Sequence, residues 1–217
     1  MQASSRICLS LPILALLSSC ASLPGEGAIE EFLSRNTDAG SAPVLYIHGA
    51  GDGPARWAAG LADSRGGFAL DWKTLASDRM AAPAKGYGLG LRLARILGPG
   101  ERTIYAHSAG AWLAQGLADG LAAMGRTDKP TLVFLDPFTA ESLFQPWEGK
   151  RRLGLNAAGA ETWYTLRDPV PFTGGEVAAG PSHDIGPLLD PAITGSPAHW
   201  AVIDWYFEKG PGAEGKP

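Results

Sequence analysis

Ser108 sits in Ala106-His107-Ser108-Ala109-Gly110, with a small residue two positions away on either side. The apolar run Thr103-Ile104-Tyr105-Ala106 leads into it, and Leu113, Leu117, Leu121 and Met124 follow at helical spacing. Small-x-Ser-x-Gly between a strand and a helix is the pattern of a nucleophile elbow. The backbone turns steeply there, which excludes bulky neighbours. The turn lifts the hydroxyl to the sheet rim at a helix N-terminus, where the dipole favours negative charge. The plainer alternative is a serine N-cap before a helix that packs through small residues. A serine hydroxyl becomes an effective nucleophile only beside a base, and the base needs a carboxylate to fix its tautomer. The chain has four histidines. His107 lies inside the elbow, and His48 reads as structural. In the chain order serine, acid, histidine, His183 and His199 remain as bases, with Asp136, Asp168 and Asp184 as acids. An oxyanion also needs two backbone N–H groups aimed at one point. Ala109 offers one, and Ala50, in the glycine-rich turn His48-Gly49-Ala50-Gly51, offers the other.

These residues need a frame that gathers them. Pro43–Ile47, Phe68–Trp72, Thr103–Ala106, Thr131–Leu135 and Thr162–Leu166 read as short buried strands. Tyr87–Leu97 reads as a helix with Leu89, Leu93, Ile96 and Leu97 on one face and Arg92 and Arg95 opposite. A second helix follows Ser108, and a last one covers His199–Phe207. Alternating strands and helices predict an α/β fold, a mostly parallel sheet covered on both faces. Ligand sites in such sheets lie at the carboxyl ends of the strands. His48, Ser108, Asp136 and Asp168 all follow strand ends, so they are expected on one rim.

The N-terminus reads differently. A polar start with one positive charge, an apolar run from Ile7 to Leu17 and then Leu17-Ser18-Ser19-Cys20 resemble a bacterial lipoprotein signal, cleaved before an acylated Cys20. The expected organisation is a signal peptide over 1–19, a lipidated N-terminus and tether over 20–42 with a short helix at Ala28–Ser34, a catalytic domain over 43–210 and a flexible tail over 211–217. Ala21 and Ser22 favour the outer membrane, facing the periplasm. Cys8 and Cys20 are the two cysteines, so the exported domain relies on its core without a disulfide. A content of 45% hydrophobic and 18% charged residues over 217 positions fits one globular domain. The net charge of -4 without a Lys/Arg cluster gives no reason to expect a nucleic-acid partner. No Cys/His cluster has ligand spacing, so neither a metal nor an organic cofactor is implied.

Five blocks in order resemble the pancreatic-lipase-like branch of the α/β-hydrolases. They are Leu45-Tyr46-Ile47-His48-Gly49-Ala50, Leu70-Asp71-Trp72-Lys73, Tyr105–Ala111 around Ser108, Leu135-Asp136-Pro137-Phe138, and His199 with Trp205-Tyr206. The resemblance implies the α/β-hydrolase fold, Ser108 as nucleophile, Asp136 as acid, His199 as base and an ester or lipid substrate. Arg167-Asp168-Pro169 resembles the acid-bearing turn after the next strand in most other α/β-hydrolases, which makes Asp168 the rival acid. That family's disulfides, lid and C-terminal lipid-associating domain are absent, and 138–160 is the expected partial cap. The alternative is a catalytically silent lipoprotein of the same fold that binds a ligand or an envelope partner.

Overall fold

The computed structural model describes residues 24–140 and 148–215. The signal segment and Cys20 lie outside the described residues, as do Leu143, Phe144 and Trp147 of the expected cap. Six strands form the central sheet: β1 (Val44–Ile47), β2 (Phe68–Leu70), β3 (Thr103–His107), β4 (Thr131–Leu135), β5 (Gly159–Tyr164) and β6 (Ser182–Asp184). Their order across the sheet is β2-β1-β3-β4-β5-β6, and every neighbouring pair is parallel. Parallel strands need crossovers, and the helices supply them. These are α1 (Glu26–Arg35), α2 (Ala58–Arg65), α3 (Ala82–Leu93), α4 (Gly110–Ala123), α5 (Glu148–Arg152) and α6 (Ser196–Glu208). The expected α/β architecture is thus present.

Strand alternation divides the core in two. Leu45, Ile47, Ile104, Leu132 and Phe134 pack with α1, α3 and α4 on one face. Tyr46, Val133 and Leu135, offset by one residue, pack with Trp57, Ala58 and the apolar side of α6 on the other. The chain moves outward from β1 to β2 and then returns to lay β3 on the other side of β1. The loops leaving β1 and β3 therefore diverge, and a crevice opens at the strand C-termini.

Several boundaries differ from the sequence reading. The helix expected at Ala28–Ser34 is longer and packed into the domain: Phe32 is buried, and Asn36 at its end is fully buried. The Asn36 side chain donates to the Phe32 and Asp71 carbonyls and accepts from the Asp71 N–H, tying this segment to the end of β2. α3 starts five residues before the expected Tyr87 and stops at Leu93. Ile96, expected on its buried face, is consequently 40% exposed, and Met124, just past α4, is 46% exposed. β5 ends at Tyr164, so Leu166 is exposed. Of the expected flexible tail, Pro211–Gly215 forms a 3-10 turn whose Gly212 carbonyl accepts from Arg65. Among the described residues no helix is long and apolar enough to cross a membrane.

Candidate active site

The register aligns Ile47 with Ala106, Ala106 with Phe134 and His107 with Leu135. The residues that follow these strands therefore emerge at one level. Pairing continues past the strand ends: the Ser108 N–H donates to Leu135 O at 3.2 Å, and the Asp136 N–H to Trp163 O at 2.7 Å. Ser108 has φ of 52° and Asp136 φ of 45°, the left-handed region that residues with a Cβ enter at a cost. For Ser108 this is the sharp turn from β3 into α4.

The small neighbours have a measurable reason. A Cβ on Gly110 would lie 2.6 Å from His48 O and 2.9 Å from Ile47 O, so α4 can start against β1 only with glycine there. A Cβ on Gly49 would lie 2.9 Å from the Ser108 Cβ and 3.4 Å from its Oγ. The glycine-rich turn after β1 thus passes directly over the serine. The Trp72 indole N–H donates to His48 O at 2.9 Å and holds that turn from below. His48 itself is fully buried, its Nδ1–H donating to Gly49 O, and burial lowers its pKa. This is the structural role expected for it.

Ser108, His199, Ala50 and Ala109 line one crevice of about 190 Å³. Phe138, Val170 and Trp200 give it apolar walls, and Arg79 lies at its edge over Gly51. Among the described residues, neither the Ala50 nor the Ala109 N–H donates to another backbone group. Ser108 and His199 are 9% and 7% exposed, enough for contact with a small molecule while most water is excluded.

His199 projects from the first turn of α6. Its Nδ1–H donates to Asp136 Oδ2 at 2.7 Å, and Asp168 Oδ2 lies 2.8 Å from the same nitrogen. Both carboxyl side chains are wholly shielded from solvent. Asp136 Oδ1 accepts from the Gly174 N–H at 3.0 Å. Asp168 accepts from the Thr173 hydroxyl at 2.6 Å and the Val170 N–H at 2.9 Å. Burial pushes the Asp136 carboxyl up to about 6 against the pull of His199, and the nearby Asp168 adds to the rise. Burial pushes Asp168 up as well, but the bonds from His199, Thr173 and Val170 outweigh it, and its carboxyl falls below the ordinary range. Burial alone would lower the His199 imidazole; the two carboxylates reverse that and raise it to about 9.

His107 is fully buried beneath this group, its ring 4.3 Å from that of His199, and it donates from Nε2 to His199 O. Burial holds its imidazole well below the usual range, so it adds no positive charge beside His199. Of the sequence alternatives, Asp168 joins the group, while His183 and Asp184 fall elsewhere. His183 lies on the edge strand β6, stacked on Trp163 at 4.1 Å. It is three strand spacings, about 14 Å, from the strand that delivers Ser108. Asp184 accepts from the Gly186 and Leu166 N–H groups and shapes the turn after β6. Among the described residues, Asp136, Asp168 and His199 are also the grouping whose ligand atoms all lie within 4.8 Å of one another, so any cation would compete with the imidazole proton for the same oxygens.

Sequence reading did not anticipate Arg79, Val170 or Trp200 in the crevice walls, or the joint grip of two acids on one imidazole. The two acids carried a usable signal, because both sit in an Asp-Pro pair after a β-strand: Asp136-Pro137 and Asp168-Pro169. Arg79, Val170 and Trp200 lie in stretches with no pattern that marks them. Set against known proteins, the chain matches no family model and no curated protein.

Proposed function

We propose that this chain is a serine hydrolase of carboxylic esters built on the α/β-hydrolase fold. The observation that carries the reading is one crevice shared by Ser108 on a strained turn and His199, whose Nδ1 is gripped by buried carboxylates. His199 takes the Ser108 proton through Nε2 as the serine oxygen bonds to the ester carbonyl carbon. The carbonyl oxygen becomes an oxyanion between the Ala50 and Ala109 N–H groups. Collapse breaks the bond to the alcohol, which leaves with the proton from His199. Water, deprotonated by the same imidazole, then releases the acid and restores the serine. Asp136 keeps the imidazole in the tautomer whose Nε2 is free to accept. Substrates are small-molecule or lipid esters. The chain is read as bound through a lipidated Cys20 to the periplasmic face of the outer membrane.

A fluorophosphonate probe tests the reading. Wild type should be labelled at Ser108 and hydrolyse p-nitrophenyl acetate, and Ser108→Ala should do neither. Labelling that persists in Ser108→Ala, or none in wild type, would leave a ligand-binding protein of the same fold.

A further inference from the structure

The Nδ1 atom of His199 has one proton to donate, yet two carboxylate oxygens stand 2.7 and 2.8 Å from it. A buried carboxylate without a partner costs several kcal/mol. Asp168 is therefore no bystander that drifted close: both its oxygens are occupied within its own loop, by Val170 N–H and the Thr173 hydroxyl. That loop is in turn fastened to the Asp136 segment. Thr139 donates to Phe172 O from its N–H at 2.7 Å and from its hydroxyl at 2.9 Å. Two residues on, Gly174 N–H serves Asp136 itself. Phe172 takes φ of 67° to make this turn. The loop after β5 thus does two things at once, presenting Asp168 to the imidazole and supporting Asp136.

We propose that Asp168 is a second positioning acid of the same catalytic group, so that Asp136 and Asp168 hold His199 jointly and either one alone keeps it serviceable. This deepens the ester-hydrolase reading and rests on it for its catalytic consequence. Both acids act through His199; neither faces the substrate crevice. The other ionisable groups near the imidazole are His107, which is held neutral, Arg79 across the crevice, and Arg56, which lies over the neighbouring Trp200 ring. None of them can substitute for a carboxylate at Nδ1.

The test uses the full chain and the variants Asp136→Asn, Asp168→Asn and the double replacement. One readout is kcat/KM for p-nitrophenyl acetate against pH; the other is NMR titration of the His199 ring. Losing the sole acid of such a group costs on the order of 10⁴-fold. With sharing, each single variant should lose less than about 10²-fold on the alkaline plateau, and the double should lose the full amount. The acid limb and the His199 titration should both move to lower pH in each single variant, because each has lost one of two neighbouring negative charges. A purely structural role for Asp168 would not move that limb. Thr173→Val loosens the same loop, where the hydroxyl bonds both Asp168 and Val170 O, but leaves the Asp168 charge in place. The limb should then not move to lower pH, and a shift matching that of Asp168→Asn would overturn the proposal by assigning the effect to the loop. The proposal is overturned if one single variant equals the double while the other matches wild type in rate and pH profile. If no variant, wild type included, cleaves esters, the hydrolase reading fails. The ring titration still decides this proposal: an Asp168→Asn protein whose His199 titrates as in wild type refutes it.

Discussion

Ser108 pays for its exposure with backbone strain, since a left-handed residue carrying a Cβ costs roughly 1–2 kcal/mol. Ser108→Gly and Ser108→Ala both remove the hydroxyl, but only glycine relieves the turn. The Ser108→Gly variant should therefore be the more stable of the two by about 1 kcal/mol in denaturant unfolding. His199 gives a pH prediction. Its folded pKa, about 9, stands above the unfolded value of 6.5. The stability it contributes is fully present below pH 6.5 and is lost as pH rises through 9. Melting temperature should fall across that interval in wild type, and His199→Gln should flatten the fall. Ester hydrolysis should rise over the same interval, because only the neutral imidazole accepts a proton. Stability and turnover are thus expected to move in opposite directions. His199, in the first turn of α6, stood out only through the family resemblance, whereas Ser108, Asp136 and Asp168 were legible because each follows a strand. The sharing between the two acids was not, because chain order frames acid and base as one choice each, and only the three-dimensional course of the 168–174 loop brings both to one nitrogen.

Helices α3 and α4 meet along glycines. A Cβ on Gly90 would strike the Leu113 carbonyl, and one on Gly116 the Tyr87 carbonyl. Gly116→Val should destabilise the protein by about 1–3 kcal/mol or more, read as a lower denaturant midpoint. Gly60 in α2 faces open space and supplies the contrast. Gly60→Ala should raise stability by about 0.5–1 kcal/mol. The glycines also explain a sequence error. Pro83, Gly86, Gly88 and Gly90 weaken the helical signal over α3, so the expected helix began too late, at Tyr87, and ran on to Leu97. In the fold, close backbone packing replaces the missing propensity. β6 escaped sequence reading for another reason. It is three residues long at the sheet edge, too short for any period to register. β1, β3 and β4, buried on both faces, were legible to within a residue.

Across the whole molecule, the chain reversal beside β1 decides where the crevice opens, and the segment before β1 is part of that frame. Asn36→Ala would strip one donor from the Phe32 carbonyl in α1, and one donor and one acceptor from the Asp71 backbone just after β2. It should cost about 1–3 kcal/mol in unfolding free energy while leaving fluorophosphonate labelling intact at low temperature. On the proposed anchoring, Cys20→Ser should move the protein from the membrane to the soluble fraction without altering turnover. One property of the topology reaches beyond the folded state. In the proposed assignment Ser108, the Ala50 and Ala109 amides and both acids precede the base in synthesis, and His199 arrives on α6, the last α-helix among the described residues. A nascent chain still emerging from the ribosome, or one cut short by a premature stop before Ser196, carries a strained hydroxyl with nothing to deprotonate it. On the proposed reading, the chain then stays inert until α6 docks.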